Sequence, residues 1–127
     1  MNKPLTPTQW VGQCHCGNVR LTLSELTPTA TECNCSLCSR YGAWWGYFTP
    51  QQVTIEVGRA GLNAYRHGDE MIDFQHCGQC GCITLYTSTD KAPSERVAVN
   101  YRMFESDVTL SLKLRHFDGA NTWSYLD

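Results

Sequence analysis

The chain has 127 residues, 42% of them apolar and 17% charged, with a formal net charge of −2. That length suits one domain, residues 1–127, burying roughly two-thirds of the surface its unfolded form exposes. The scattered Lys and Arg argue against a phosphate-tracking basic face, and so against nucleic acid as a partner. No apolar run approaches the ~20 residues needed to span a bilayer, which argues against a membrane.

The opening "MNKPLTPTQW" lacks the charged-then-apolar layout of a secretory signal. A cytoplasmic protein is therefore expected, and monomer or weak homo-oligomer is the expected state. The eight cysteines then point to metal or redox chemistry rather than to a disulfide framework.

Period-two alternation predicts half-buried strands along the chain. "VRLTL" places Val19, Leu21 and Leu23 on one face, and "VTIEV" does the same with Val53, Ile55 and Val57. "MIDF" and "ITLY" are shorter candidates. "RVAVNY" offers Val97, Val99 and Tyr101, and "VTLSLKL" offers Val108, Leu110, Leu112 and Leu114. Gly-, Pro- and Asp-rich turns such as "EVGRAG", "RHGDE" and "TDKAPSE" separate them. Helix is expected only in short turns, around Thr49–Val53 and Arg102–Ser106. The expected fold class is mainly β, with antiparallel strands.

Three cysteine groups interrupt this pattern. Cys14 and Cys16 lie in "QCHCGNVR"; Cys33, Cys35 and Cys38 lie in "ECNCSLCSR"; Cys77, Cys80 and Cys82 lie in "HCGQCGC". A glycine after the second cysteine of a close pair relieves backbone crowding and lets amides point at sulfur. Pairing Cys14 and Cys16 with Cys77 and Cys80 would complete a tetrahedral four-thiolate site and close a loop of about sixty residues. Buried thiols or disulfides are the alternative. Zinc is the preferred metal for thiolate-rich tetrahedral sites, with iron open.

Cys33, Cys35 and Cys38 supply three ligands where a sealed site wants four. Either this is a second structural zinc with a fourth ligand from Cys82, Glu32, His15, His67, His76 or His116, or one vertex is open. Spacing alone does not choose between them.

"GQCHCGNVRLTL", "CNCSLCSRYG", "FQHCGQCG", "VAVNYRMFE" and "FDGANTW" together resemble the glutathione-dependent formaldehyde-activating enzyme family, also called the S-(hydroxymethyl)glutathione synthase-like or CENP-V/GFA domain. The resemblance runs from Gly12 to Trp123. It implies a zinc-bound β-tent of antiparallel strands. It implies a structural zinc on Cys14, Cys16, Cys77 and Cys80, and a second, catalytic zinc on Cys33, Cys35 and Cys38. The implied activity is that of a carbon–sulfur lyase acting on a small thiol, such as glutathione, and formaldehyde or a related aldehyde. Cys82 falls outside this pattern and reads as a buried free thiol.

A glutathione-like ligand carries carboxylates, for which Arg is the planar donor. Arg40, directly after the triplet, and Arg102, in "VNYR", are the candidates. "YGAWWGYF" either walls a pocket or belongs to the core. The competing class is a non-catalytic zinc module for interaction or chaperone-like binding, in which the second metal only braces a loop.

Overall fold

The computed structural model describes residues 9–127. The reading of the first eight residues as free of an export signal lies outside the described residues. Among the described residues ten strands form two sheets. In the three-stranded sheet, β2 (Val19–Leu23) lies between β1 (Trp10–Gln13) and β5 (Val53–Val57). The seven-stranded sheet begins with β10 (Lys113–Phe117), β3 (Thr29–Cys33), β4 (Trp45–Phe48) and β9 (Val97–Asn100). It continues through β8 (Ile83–Ser88) and β7 (Ile72–Cys77) to β6 (Leu62–Arg66).

Alternation in β2 explains how the sheets meet. Val19, Leu21 and Leu23 are fully buried on one face and pack with Phe48, Leu85, Val99 and Tyr101. Each such side chain contributes about 1.5–3 kcal/mol by leaving water. Gly46 permits close layering, because a Cβ there would lie 2.2 Å from the Tyr101 ring. Tyr101 buries its hydroxyl against Thr27, whose backbone N–H donates to it at 3.0 Å. A second buried cluster, with Trp45, Phe74, Tyr86 and Ala98, lies under the short helix α1 (Ser36–Tyr41).

The mainly β, largely antiparallel architecture agrees with the sequence. One pairing departs from it: β10 runs parallel to β3, with Phe117 opposite Cys33 and His116 opposite Glu32. A parallel pair needs a long crossover, and nearly the whole chain between these strands supplies one. The expected strand over Val108–Leu114 is also corrected. Ser106–Thr109 is a helix, α2, and the strand begins only at Lys113. The Glu105 carbonyl accepts from the N–H groups of Val108 and Thr109, and Asp107 Oδ1 also accepts from Val108 N at 2.9 Å. These bonds curl the segment and leave Leu110 85% exposed. The turn expected around Thr49–Val53 is a 3-10 turn at Pro50–Gln52, the one expected over Arg102–Ser106 is a 3-10 turn displaced to Tyr101–Met103, and helix α1 falls where no helix was expected. Among the described residues no helix is long and apolar enough to cross a membrane.

Candidate metal centres and the adjoining cleft

Cys14 follows β1 and Cys77 ends β7, so two strand ends bring distant segments together. Gly17 (φ +84°) and Gly81 (φ +78°) let the chain turn back tightly after each pair. Gly17 N donates to Cys14 O and Gly81 N to Cys77 O, each at 3.1 Å. The sulfurs of Cys14, Cys16, Cys77 and Cys80 all lie within 4.8 Å of one another. A tetrahedral zinc with bonds of about 2.3 Å would space its sulfurs about 3.8 Å apart. Here Cys14 and Cys16 are 3.8 Å apart, and Cys16 and Cys77 are 3.5 Å apart. The group fits a four-thiolate metal.

Donors already face these sulfurs. Val19 N reaches Cys14 Sγ at 3.2 Å. Cys77 Sγ accepts from Gln79 N, Cys80 N and Asn18 Nδ2 at 3.3–3.4 Å. Burial alone would push the Cys77 thiol up, but these donors overcome it and bring its pKa down to about 5. Asn18 also bonds Gly61 O and accepts from Ala60 N, tying the first cysteine turn to the loop before β6. Sequence reasoning missed Asn18. The only signal was its place directly after "HCG".

Cys33 ends β3, Cys35 caps α1, and Cys38 lies on the buried side of α1. Their sulfurs also lie within 4.8 Å of one another, and among the described residues no fourth Cys, His, Asp or Glu joins them. Burial raises Cys33 and Cys38. Burial opposes ionisation of Cys35 as well, yet the Cys38 amide (3.3 Å away) and the neighbouring thiols carry it below the ordinary thiol range. Trp45 Nε1 is the one buried side-chain nitrogen or oxygen among the described residues without a well-formed hydrogen bond. It lies beside Cys38 and favours the thiolate there. An unpartnered buried N–H normally costs stability, so this donor fits a sulfur carrying negative charge under a metal.

The loop after β10 closes over the triplet. A Cβ at Gly119 would sit 2.6 Å from Cys33 Sγ and 3.3 Å from Cys35 Cβ, so backbone presses directly on the cysteines. Asn34, between two of them, donates to Asp118 Oδ1 at 2.9 Å and accepts from Ala120 N at 3.0 Å. Asp118 also accepts from Thr122 N and Thr122 Oγ1. The Asn34 and Thr122 donors hold its carboxyl below the usual range. The "FDG" and "CNC" motifs were visible in the sequence; their contact with each other was not.

Cys33 and Cys38 line a cleft of about 630 Å³, together with Glu32, Asn34, Gly42, His116, Phe117 and Asp127. Of the considered fourth ligands, Glu32 and His116 reach this cleft without joining the sulfurs. His76 is engaged by Tyr41 Oη and Asn63 O, and His67 stacks on Tyr65. His15 and Cys82 adjoin each other beside Cys80 in the four-cysteine group. Arg40 is exposed and donates to Ser36 O at 2.7 Å. Arg102 stacks on Trp44 at 4.9 Å, and Trp44 Nε1 donates to Glu32 Oε2 at 3.3 Å. Neither arginine lines the cleft. Of the aromatic stretch after the triplet, Trp45 and Phe48 belong to the core.

The family model described as "Glutathione-dependent formaldehyde-activating enzyme" matches residues 9–117. The chain belongs to that family. Its fold is similar to the crystal structure of a Rhodobacter sphaeroides protein, at 28% identity and TM-score 0.66, covering 82% of this chain and 97% of that one. No protein of curated function matches significantly. Membership in the formaldehyde-activating family accords with two cysteine groups able to hold metal.

Proposed function

We propose that the protein is a zinc-dependent carbon–sulfur lyase that joins a small thiol to formaldehyde or a related aldehyde, or runs the reverse. One observation carries this reading: three sulfurs converge with no fourth ligand among the described residues, and Cys33 and Cys38 of the three line a cleft, whereas the other group is complete. Cys14, Cys16, Cys77 and Cys80 hold a structural zinc, and Cys33, Cys35 and Cys38 hold the second. Zinc bound by three thiolates would supply deprotonation of an incoming thiol, whose free pKa is about 8.5. The chain does the rest by placement. The Cys38 amide and Trp45 N–H stabilise thiolate, and Phe117 helps wall the cleft that brings the reactants close. Eight thiols suit a reducing compartment, and the proposal sets the protein in the cytoplasm, with residues 1–127 acting as one domain.

Glutathione is the thiol suggested by the family, with Arg40 and Arg102 the candidate anchors for its carboxylates. Arg102 is the better placed, one side chain from Glu32 through Trp44. Cobalt loading followed by titration with glutathione and with a simple thiol tests the proposal. A new sulfur-to-cobalt charge-transfer band shows a vertex open to thiol. Glutathione saturating first, with the difference erased by Arg102→Ala, supports the anchor. A spectrum that already reports four sulfurs and ignores thiol makes the protein a structural zinc module.

A further inference from the structure

Among the cleft residues, His116 has the most unusual surroundings. It stands on β10 opposite Glu32 of β3, and the segment after the Gly119 loop folds back beside it. Leu126 N donates to His116 O at 2.9 Å, and His116 N donates to Asp127 Oδ1 at 3.2 Å. The imidazole Nδ1 lies 2.9 Å from Asp127 Oδ2. Asp127 is itself steadied by Arg115, which donates to its carbonyl at 2.9 Å and approaches its carboxylate at 3.7 Å. His116 donors hold that carboxyl below the usual range.

An ionised carboxylate only accepts hydrogen bonds, so Nδ1 must carry the ring proton, and the neutral ring then keeps its lone pair on Nε2. Nε2 is 3.6 Å from Glu32 Oε1, too far for a hydrogen bond, while the other Glu32 oxygen is taken by Trp44. The charged and titratable groups around this ring are Glu32, Asp127 and Arg115, with Cys33 and Cys38 on the same cleft. A base oriented by a carboxylate and lining the same cleft as Cys33 and Cys38 matches the arrangement that activates nucleophiles elsewhere. Asp127 lies beyond the 9–117 span of the family match.

We infer that His116, oriented by Asp127, carries the proton during thiol addition at this cleft. The inference rests on the proposed reaction. The thiol S–H gives its proton to Nε2 as the sulfur lone pair forms the C–S bond. The carbonyl π pair moves onto oxygen, and Nε2 returns the proton there. Nothing is oxidised or reduced, and the reverse reaction uses the same two transfers.

Nitrogen-edited NMR of the imidazole, on protein with or without metal, tests the arrangement independently of activity. The expected wild-type signal is the Nδ1–H tautomer with bare Nε2, shifting towards Nε2–H in Asp127→Asn. An Nε2–H tautomer of the neutral ring in the wild type would overturn the inference. Exchange NMR of labelled formaldehyde with a simple thiol then reads catalysis. His116→Gln should lose about 10²–10⁴-fold in rate and the acidic limb of the pH profile, while keeping its β signal and the cobalt response to thiol. Free imidazole should partly restore His116→Ala, which a merely structural role would not allow. Full rate and an unchanged profile in His116→Gln would sink the inference alone. Wild-type protein that binds thiol at cobalt yet never accelerates exchange would sink the proposed reaction, and the inference with it. If the His116 variants do not fold, the wild-type and Asp127→Asn spectra still decide the arrangement.

Discussion

Replacing Gly119 by alanine should damage the triplet while sparing the four-cysteine group. The new Cβ would stand 2.6 Å from Cys33 Sγ, about 0.8 Å inside the 3.4 Å at which ordinary contact begins. The obstacle is a sulfur fixed at the end of a strand rather than the tip of a flexible side chain. Gly119 does not have a positive φ, so the penalty is steric rather than backbone strain. Overpacking of this kind costs about 1–3 kcal/mol. Displacing a ligand or the groups that orient it typically costs about 10–100-fold in metal affinity. Zinc competition with a chromogenic chelator should show two classes of site in the wild type, only the weaker of which shifts in Gly119→Ala. Thermal melting of the loaded proteins should show a modest loss. Wild-type affinity at both classes would refute the claim that the Gly119 loop bears on the metal-holding cysteines.

Cys77→Ser should lose the metal that joins residues 14–16 to 77–80 and, with it, several kcal/mol of stability. Cys35→Ser should keep the β signal in circular dichroism and lose at most one metal; equal collapse would refute separate structural and reactive sites. Leu110→Asp should change stability by less than about 0.5 kcal/mol in urea melts, because this side chain is 85% exposed. A core-sized loss would restore the strand expected from its alternation. In metal-free protein, Cys77 has a folded pKa of about 5 against about 8.5 unfolded. The unfolded chain therefore binds more protons in that window, and Cys77's contribution is complete above about 8.5 and lost as pH falls through 5. Melting should rise from pH 6 to pH 8, and Cys77→Ser should flatten the rise.

Much of this was legible in the sequence because its signals were local or chemically unusual. Alternation in Val19–Leu23 marked a strand whose inner face is fully buried, and two cysteine pairs followed by glycine marked turns that converge. Strands β3 and β4 were not legible. "TATEC" has no apolar alternation, and "WGYF" is covered on both faces, so neither shows a half-buried period. The Val108–Leu114 stretch failed for the opposite reason: its alternation is genuine, but backbone bonds to Glu105 and Asp107 curl it. At the candidate site, the cysteines could be named from spacing. Asn18, Asn34 and Gly119 could not, because their partners lie 43, 84 and 86 residues away.

The parallel pairing of β10 with β3 orders events during synthesis. β3 leaves the ribosome about 80 residues ahead of β10, a wait of roughly 4–16 s at ordinary elongation rates. Cys14 and Cys16 meet Cys77 and Cys80 earlier, so the four-thiolate clip can close while the later strand is still unmade. Through that interval Cys33, Cys35 and Cys38 lack the loop that presses on Cys33, and oxidants or competing metals meet them uncovered. A nascent chain stalled before Lys113 should therefore bind metal at the first group and be alkylated readily at the second.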